Sequence, residues 1–288
     1  MPDIWGIGAI LSKLILYVGI GGSTGLLITQ IAFTDLLSPL SDRVRLQVVL
    51  LAALALVASV LGFMLLGAAL TGGADGMIDP EMLGLLWQTS VGDVLVYRIT
   101  GAILILAGVF IPFVGQWIAL AGGLLALWSF AQVGHIPELE PTGVRLLLLL
   151  HLLGVAFWIG ILGPLRTLSL RQEYLSDASK LGHRFGQAAS IVVPAMILAG
   201  LIMAWMLLGD VRALTTTGYG QTLLIKIALV GVVLTLAAAN KLRFVPAMQA
   251  GDDKAARHLA RSIEIETTVI LMVLVATATL TSVLTLPN

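Results

Sequence analysis

Apolar runs long enough to cross a membrane recur along this chain with few charges inside them. A bilayer core of about 30 Å is crossed by roughly 20 apolar residues in a helix. The pattern predicts eight such helices, near 12–33, 46–70, 93–112, 115–132, 144–165, 185–208, 221–240 and 264–285. The boundary between the third and fourth needs an argument, because Ile99 to Pro137 contains no Asp, Glu, Lys or Arg. As one helix that run would extend about 58 Å at 1.5 Å per residue, too long for one crossing. Pro112, Gly115 and Gln116 supply a turn, so the run divides in two. The expected fold class is an all-α polytopic membrane protein with eight transmembrane helices.

Composition agrees with the pattern and excludes several alternatives. The 288 residues are 58% hydrophobic and 11% charged, with mean hydropathy +1.02, against about 25% charged residues in soluble domains. A water-soluble fold of this length could not hide so much apolar surface, so the lipid bilayer is the partner that composition demands. Net charge is zero, and nothing points to nucleic acid. There is no cysteine, which excludes disulfides, thiolate metal sites and iron–sulfur clusters. Four histidines and nine methionines remain as the soft or borderline metal ligands. No basic stretch precedes the first apolar run and no small-residue motif ends it, so no cleavable signal peptide is expected.

Charge asymmetry orients the helices. Arg43 and Arg45 follow helix 1. Arg166, Arg171, Lys180 and Arg184 follow helix 5. Lys241, Arg243, Lys254, Arg257 and Arg261 follow helix 7. These loops share one side and hold eleven of the sixteen basic residues, whereas the loop after helix 2 carries Asp75, Asp79 and Glu81. Basic loops lie in the cytoplasm, which puts both termini on the periplasmic side. A short motif also recurs: Thr89-x-x-Gly92-x5-Arg98 opens helix 3 and Thr217-x-x-Gly220-x5-Lys226 opens helix 7. The copies lie four helices apart, so a parallel four-plus-four repeat is expected, with halves 1–135 and 136–288. The plainer reading is a helix start followed by a snorkelling cation.

Candidate chemistry concentrates near the outer side. His151 lies inside helix 5, six residues past Arg145 and about 9 Å along the axis from that boundary. Ionisable groups at such positions are costly and usually face the bundle interior. Gly154 and Trp158 share its helix face. His135, after helix 4, lies on the same side. The two imidazoles could share a metal or a haem iron, or could be a structural histidine and a loop histidine. Met77 and Met82 sit in the acidic outer loop, and Met196, Met203 and Met206 in helix 6. Thioethers suit Cu(I), although methionine is also a common filler of apolar helices. Arg98 and Lys226 are expected at the depth of His151, where they would repel a bare cation and attract carboxylates, or pair with Asp93 or Asp210. Asn240, Lys241, Arg243, Glu264 and Glu266 read as a charge-paired junction at the inner ends of helices 7 and 8. No Walker loop, GxGxxG, HExxH or Ser/His/Asp set is found, so ATP hydrolysis and soluble-type catalysis are not indicated.

Several of these residues occur in an order that resembles a known family. Gly134-His135, His151-x6-Trp158-x-Gly160, Pro164-Leu165, Arg184-Phe185, Thr217-Gly-Tyr219-Gly220-x5-Lys226, Asn240-Lys-x-Arg243-x-x-Pro246 and Ser262-Ile-Glu264 together look like the copper resistance protein D family of bacterial inner-membrane proteins. The motifs cover about residues 130–285. The resemblance implies copper ion transport or handling at the inner membrane without ATP, often beside a periplasmic copper carrier. It makes His135 and His151 candidate copper positions; on the copper reading Met77 and Met82 of the acidic loop would collect the ion. The second half is also distantly similar to the HemJ-type membrane protoporphyrinogen oxidases, where His151, Trp158 and Lys226 stand at comparable places. That resemblance implies a redox protein binding haem b, with His151 on iron and Arg98 and Lys226 near the propionates. A third reading is a subunit that docks within a larger membrane complex.

Overall fold

A computed structural model of the chain describes residues 3–134 and 142–284. His135 and the rest of 135–141 lie outside the described residues. Among those described there is no strand. We number the long helices α1 (Ile4–Ala32), α2 (Ser41–Thr71), α3 (Ser90–Gly108), α4 (Gly115–Trp128), α5 (Thr142–Ser169), α6 (Leu175–Leu208), α7 (Gly218–Ala239) and α8 (Asp253–Ser282). Short helices at Thr34–Leu37, Pro80–Trp87, Ala213–Thr216 and Val245–Gln249 fill connections between them.

Seven of the long helices are long and apolar enough to cross a bilayer. The eighth expected span, α4, is shorter, running Gly115–Ala131 even with the 3₁₀ turn that continues it. The break at Pro112 is as expected. α3 stops at Gly108, and Phe113 takes a left-handed conformation in the turn, with φ 60°. The helices begin earlier than hydropathy places them. α6 starts at Leu175 rather than near 185, and α8 at Asp253 rather than near 264. A helix needs no apolar residues where it stands in water, so both continue about two or three turns beyond the apolar run, carrying Lys180 and Arg184 or Arg257 and Arg261. Large apolar side chains face outward in rows, including Ile191, Leu198 and Trp205 on α6 at 76%, 60% and 63% exposure. Such a surface suits lipid rather than water. The chain is an all-α, multi-pass membrane protein.

α1 is the centre of the bundle, packing against α2, α4, α5 and α8. α3 pairs with α4, α5 with α6, and α7 with α8. Small residues let backbones touch, as helices in lipid require. At the α1–α5 crossing, a Cβ on Gly25 would stand 1.9 Å from the Ala156 carbonyl oxygen. α6 and α7 touch little along their spanning lengths, which leaves a cleft between them backed by α5 and α8.

The recurring Thr-x-x-Gly motif has a local cause. The Thr89 hydroxyl accepts from Val91 N–H at 3.2 Å and caps α3, and the Thr217 hydroxyl accepts from Gly220 N–H at 3.0 Å and caps α7. A Cβ on Gly92 would fall 2.1 Å from the Trp87 carbonyl oxygen, and one on Gly220 2.1 Å from that of Ala213. Each glycine is needed because the preceding turn folds back onto the helix start.

Candidate functional site

His151 sits on the face of α5 that meets α6. Its Nδ1 lies 2.8 Å from the Met196 carbonyl oxygen. A carbonyl can only accept, so Nδ1 carries the proton and Nε2 keeps its lone pair. Gly200 makes the approach possible: a Cβ there would stand 3.1 Å from His151 Cε1. One turn along α5, Gly154 receives the Met196 side chain, whose Sδ would be 3.2 Å from a Cβ at 154. Met196 and Met203 are buried, while Met206 is exposed. α6 thus sets buried Met196 and Met203 to either side of Gly200, against which the imidazole lies. Met206 is turned away.

Lys226 of α7 is close enough to His151 to act on it electrostatically, as the expected common depth requires. Among the described residues its ammonium has no ion-pair or hydrogen-bond partner. Arg98 is placed differently from expectation. It meets neither Asp93 nor Asp210; its Nε donates to Ser129 Oγ at 3.1 Å, and its guanidinium lies 5.2 Å from the Phe130 ring centre. Tyr17 packs on Phe130 and bonds Thr281 Oγ1 at 3.0 Å, and Lys13 donates to the Thr281 carbonyl. Lys13 and Arg98 are therefore joined to the ends of α4 and α8.

Met77 and Met82 are half-buried in the segment after α2, which packs on α2 and α3. The structure thus puts them on a different helix group from His151. Among the described residues no three His, Asp or Glu side chains converge as a metal cluster.

Trp158 and Glu266 correct the sequence reading most. Trp158 was read on the His151 face of its helix, and Glu266 in a charge-paired junction. Instead the Trp158 indole N–H donates to Glu266 Oε1 at 2.5 Å, and Asn240 Nδ2 donates to Oε2 at 2.9 Å. Glu266 is 2% exposed. Glu264, two residues earlier, is the one that pairs, with Arg166 at 2.5 Å on the exposed surface. Lys241 bonds Ser190 Oγ. Asn240 opens a single π-helical turn, Asn240–Phe244, at the end of α7. Trp158, Glu266, Asn240, Lys241 and Ser190 line a cavity of about 180 Å³ in the α6–α7 cleft, toward the ends bearing the basic loops. The intramembrane carboxyl was visible in the sequence as an acid just inside an apolar run. What hid its partners was its neighbour Glu264, which with the nearby cations made both acids read as a charge-paired junction.

Comparison with known proteins supplies the context for these positions. The family model "Copper resistance protein D" matches residues 179–280, and "Copper resistance protein D-like, N-terminal domain" matches residues 1–138. The chain is 26% identical over 199 residues to the inner membrane protein YebZ of Escherichia coli, covering 65% of this chain and 66% of the relative, just under two thirds of its length. No solved structure matches. None of these matches bears on the resemblance to the HemJ-type oxidases. With one model matching on each side of His151, the chain is similar to the copper resistance protein D family over most of its length.

Proposed function

We propose that this protein carries copper across, or holds it at, the bacterial inner membrane, and that it is a transporter rather than an enzyme. Cu(I) is the cargo. It enters from the face opposite the basic loops, which by the positive-inside rule is the periplasmic face, and a periplasmic copper carrier is the donor this reading calls for. His151 Nε2 is the first intramembrane ligand, and Met196 and Met203, buried on α6 to either side of Gly200, are the thioethers the reading calls on. The observation that carries the reading is the tethered imidazole. A carbonyl bond to Nδ1 holds the ring in one tautomer and presents Nε2 as a ligand, the arrangement usual for metal-binding histidines. Similarity to the copper resistance protein D family supports copper as the metal.

Lys226 opposes a cation at this position, and that makes the reading testable from two directions. Copper accumulation in cells, and Cu(I) binding by the purified protein, are compared for wild type, His151→Ala and Lys226→Gln. Loss of binding in His151→Ala and tighter binding in Lys226→Gln are expected. Equal copper accumulation by His151→Ala and wild type shows that the site is elsewhere.

A further inference from the structure

A carboxyl group buried among membrane helices is costly unless it is neutralised, and neutralisation comes from a paired cation or from a proton. Among the described residues Glu266 has no paired cation. Its two oxygens meet only the neutral donors Trp158 Nε1 and Asn240 Nδ2. Among the described residues no charged group of the packed elements pairs with it: Arg243 of the π turn lies over the Phe244 ring, which stacks on His258, and Arg257 and Arg261 of α8 make no ion pair with it. On α5, Arg166 is engaged by Glu264. On α7, Lys241 reaches across the cleft to Ser190 on α6, and Lys226 lies within electrostatic reach of His151. α6 carries no ionisable residue between Arg184 and Asp210. α1 carries no Asp, Glu, Lys, Arg or His between Lys13 and Asp35, Lys13 itself lying against Thr281, toward the far end of α8. Tyr17, the titratable phenol between them, also bonds Thr281.

The environment is also suited to both protonation states. Asn240 Nδ2 donates to the carboxylate, while its Oδ1 is buried without a partner. An amide has a donor and an acceptor on one hinge. Rotated by half a turn, Asn240 would offer Oδ1 to the O–H of a protonated Glu266. The pair is therefore hydrogen-bonded with or without the proton. The cavity that Glu266 lines also reaches Ser190 and Lys241, both exposed, near the basic ends of α6 and α7. The π turn that begins at Asn240 interrupts the α7 hydrogen-bond ladder where the amide must move.

The geometry points to Glu266 as a proton-exchange site of the inner half of the membrane, loaded through the α6–α7 cavity from the side of the basic loops, with Asn240 as its two-state partner. The step is a simple protonation, carboxylate plus proton giving carboxylic acid, with no change of oxidation state. That the proton moves in exchange for one Cu(I), keeping charge balanced, rests on the function proposed above.

Two measurements test this separately. Infrared difference spectra of the full-length purified protein between pH steps need no copper. Wild type should show a buried-acid C=O band that grows as pH falls. Glu266→Gln, nearly isosteric, should lose it, and Trp158→Phe should shift its frequency by removing a hydrogen bond. If Glu266→Gln does not yield folded protein, the Trp158→Phe shift decides. A band unchanged in both variants, or no titrating band over the pH range where the protein stays folded, overturns the assignment. In proteoliposomes with an internal pH dye, Cu(I) addition should drive proton movement in wild type, and Glu266→Gln should lose that movement while still binding copper. Unaltered proton movement in Glu266→Gln overturns the coupling. Absent copper movement in wild type, with the infrared band intact, overturns the copper reading and leaves the proton site standing.

Discussion

Gly25→Ala is expected to destabilise this protein more than any other single added methyl group on α1. α1 and α5 meet backbone to backbone at Gly25 and Gly160. The new Cβ would lie 1.9 Å from the Ala156 carbonyl oxygen and 2.8 Å from its carbon. Real Cβ contacts essentially never fall below 3.0 Å, so α1 must retreat by about 1 Å or more, because neither surface has a flexible side chain that can yield. Leu26, Leu27, Phe157 and Ile161 are buried around this crossing. A gap of about 0.5–1 Å forfeits a quarter to a half of each close contact. Overpacking of this kind costs about 1–3 kcal/mol, and the upper end applies where both partners are backbone. Gly163→Ala is the control. It lies on the same α5, nothing stands within 4 Å of its Cβ, and alanine favours helix over glycine by up to about 1 kcal/mol. Thermal unfolding in mild detergent, followed by loss of the monodisperse elution peak, reads both. Gly25→Ala should melt several degrees below wild type, and Gly163→Ala at or above it. Coincident melting of Gly25→Ala and wild type would falsify the crossing geometry, as would an equal drop in Gly163→Ala.

Two further substitutions separate buried from exposed polar contacts. Trp158→Phe leaves the buried Glu266 carboxyl with one donor fewer and should cost about 1–3 kcal/mol, read by the same melt; an unchanged midpoint contradicts the bond. Glu264→Gln breaks an ion pair whose side chains are 40% and 51% exposed. It should cost no more than about 1 kcal/mol, with a loss that shrinks as salt is raised. A larger loss for Glu264→Gln than for Trp158→Phe would mean that the roles of the two acids are reversed.

Hydropathy alone determined that this chain spans a membrane repeatedly, and nearly where. Burying apolar residues in lipid is a property of each segment on its own, so a run of about twenty is legible without knowing its neighbours. The division at Pro112 was legible for the same reason, since proline and glycine act through their own backbones. The stretches of α6 and α8 that precede their apolar runs were not, because hydropathy reports where lipid begins and not where a helix does.

Only the tertiary structure decided what each polar side chain meets. His151 is set by a carbonyl 45 residues away on α6, and Gly200 leaves the room for it. Glu264 and Glu266 look alike in the sequence, yet two residues along α8 is a large rotation about the axis. It turns one acid to the exposed Arg166 and the other to Trp158 and Asn240 in the cleft. Partner choice depends on distance in space between helices far apart in the chain. A hydrophobic pattern, which records only the environment of each helix face, does not contain it.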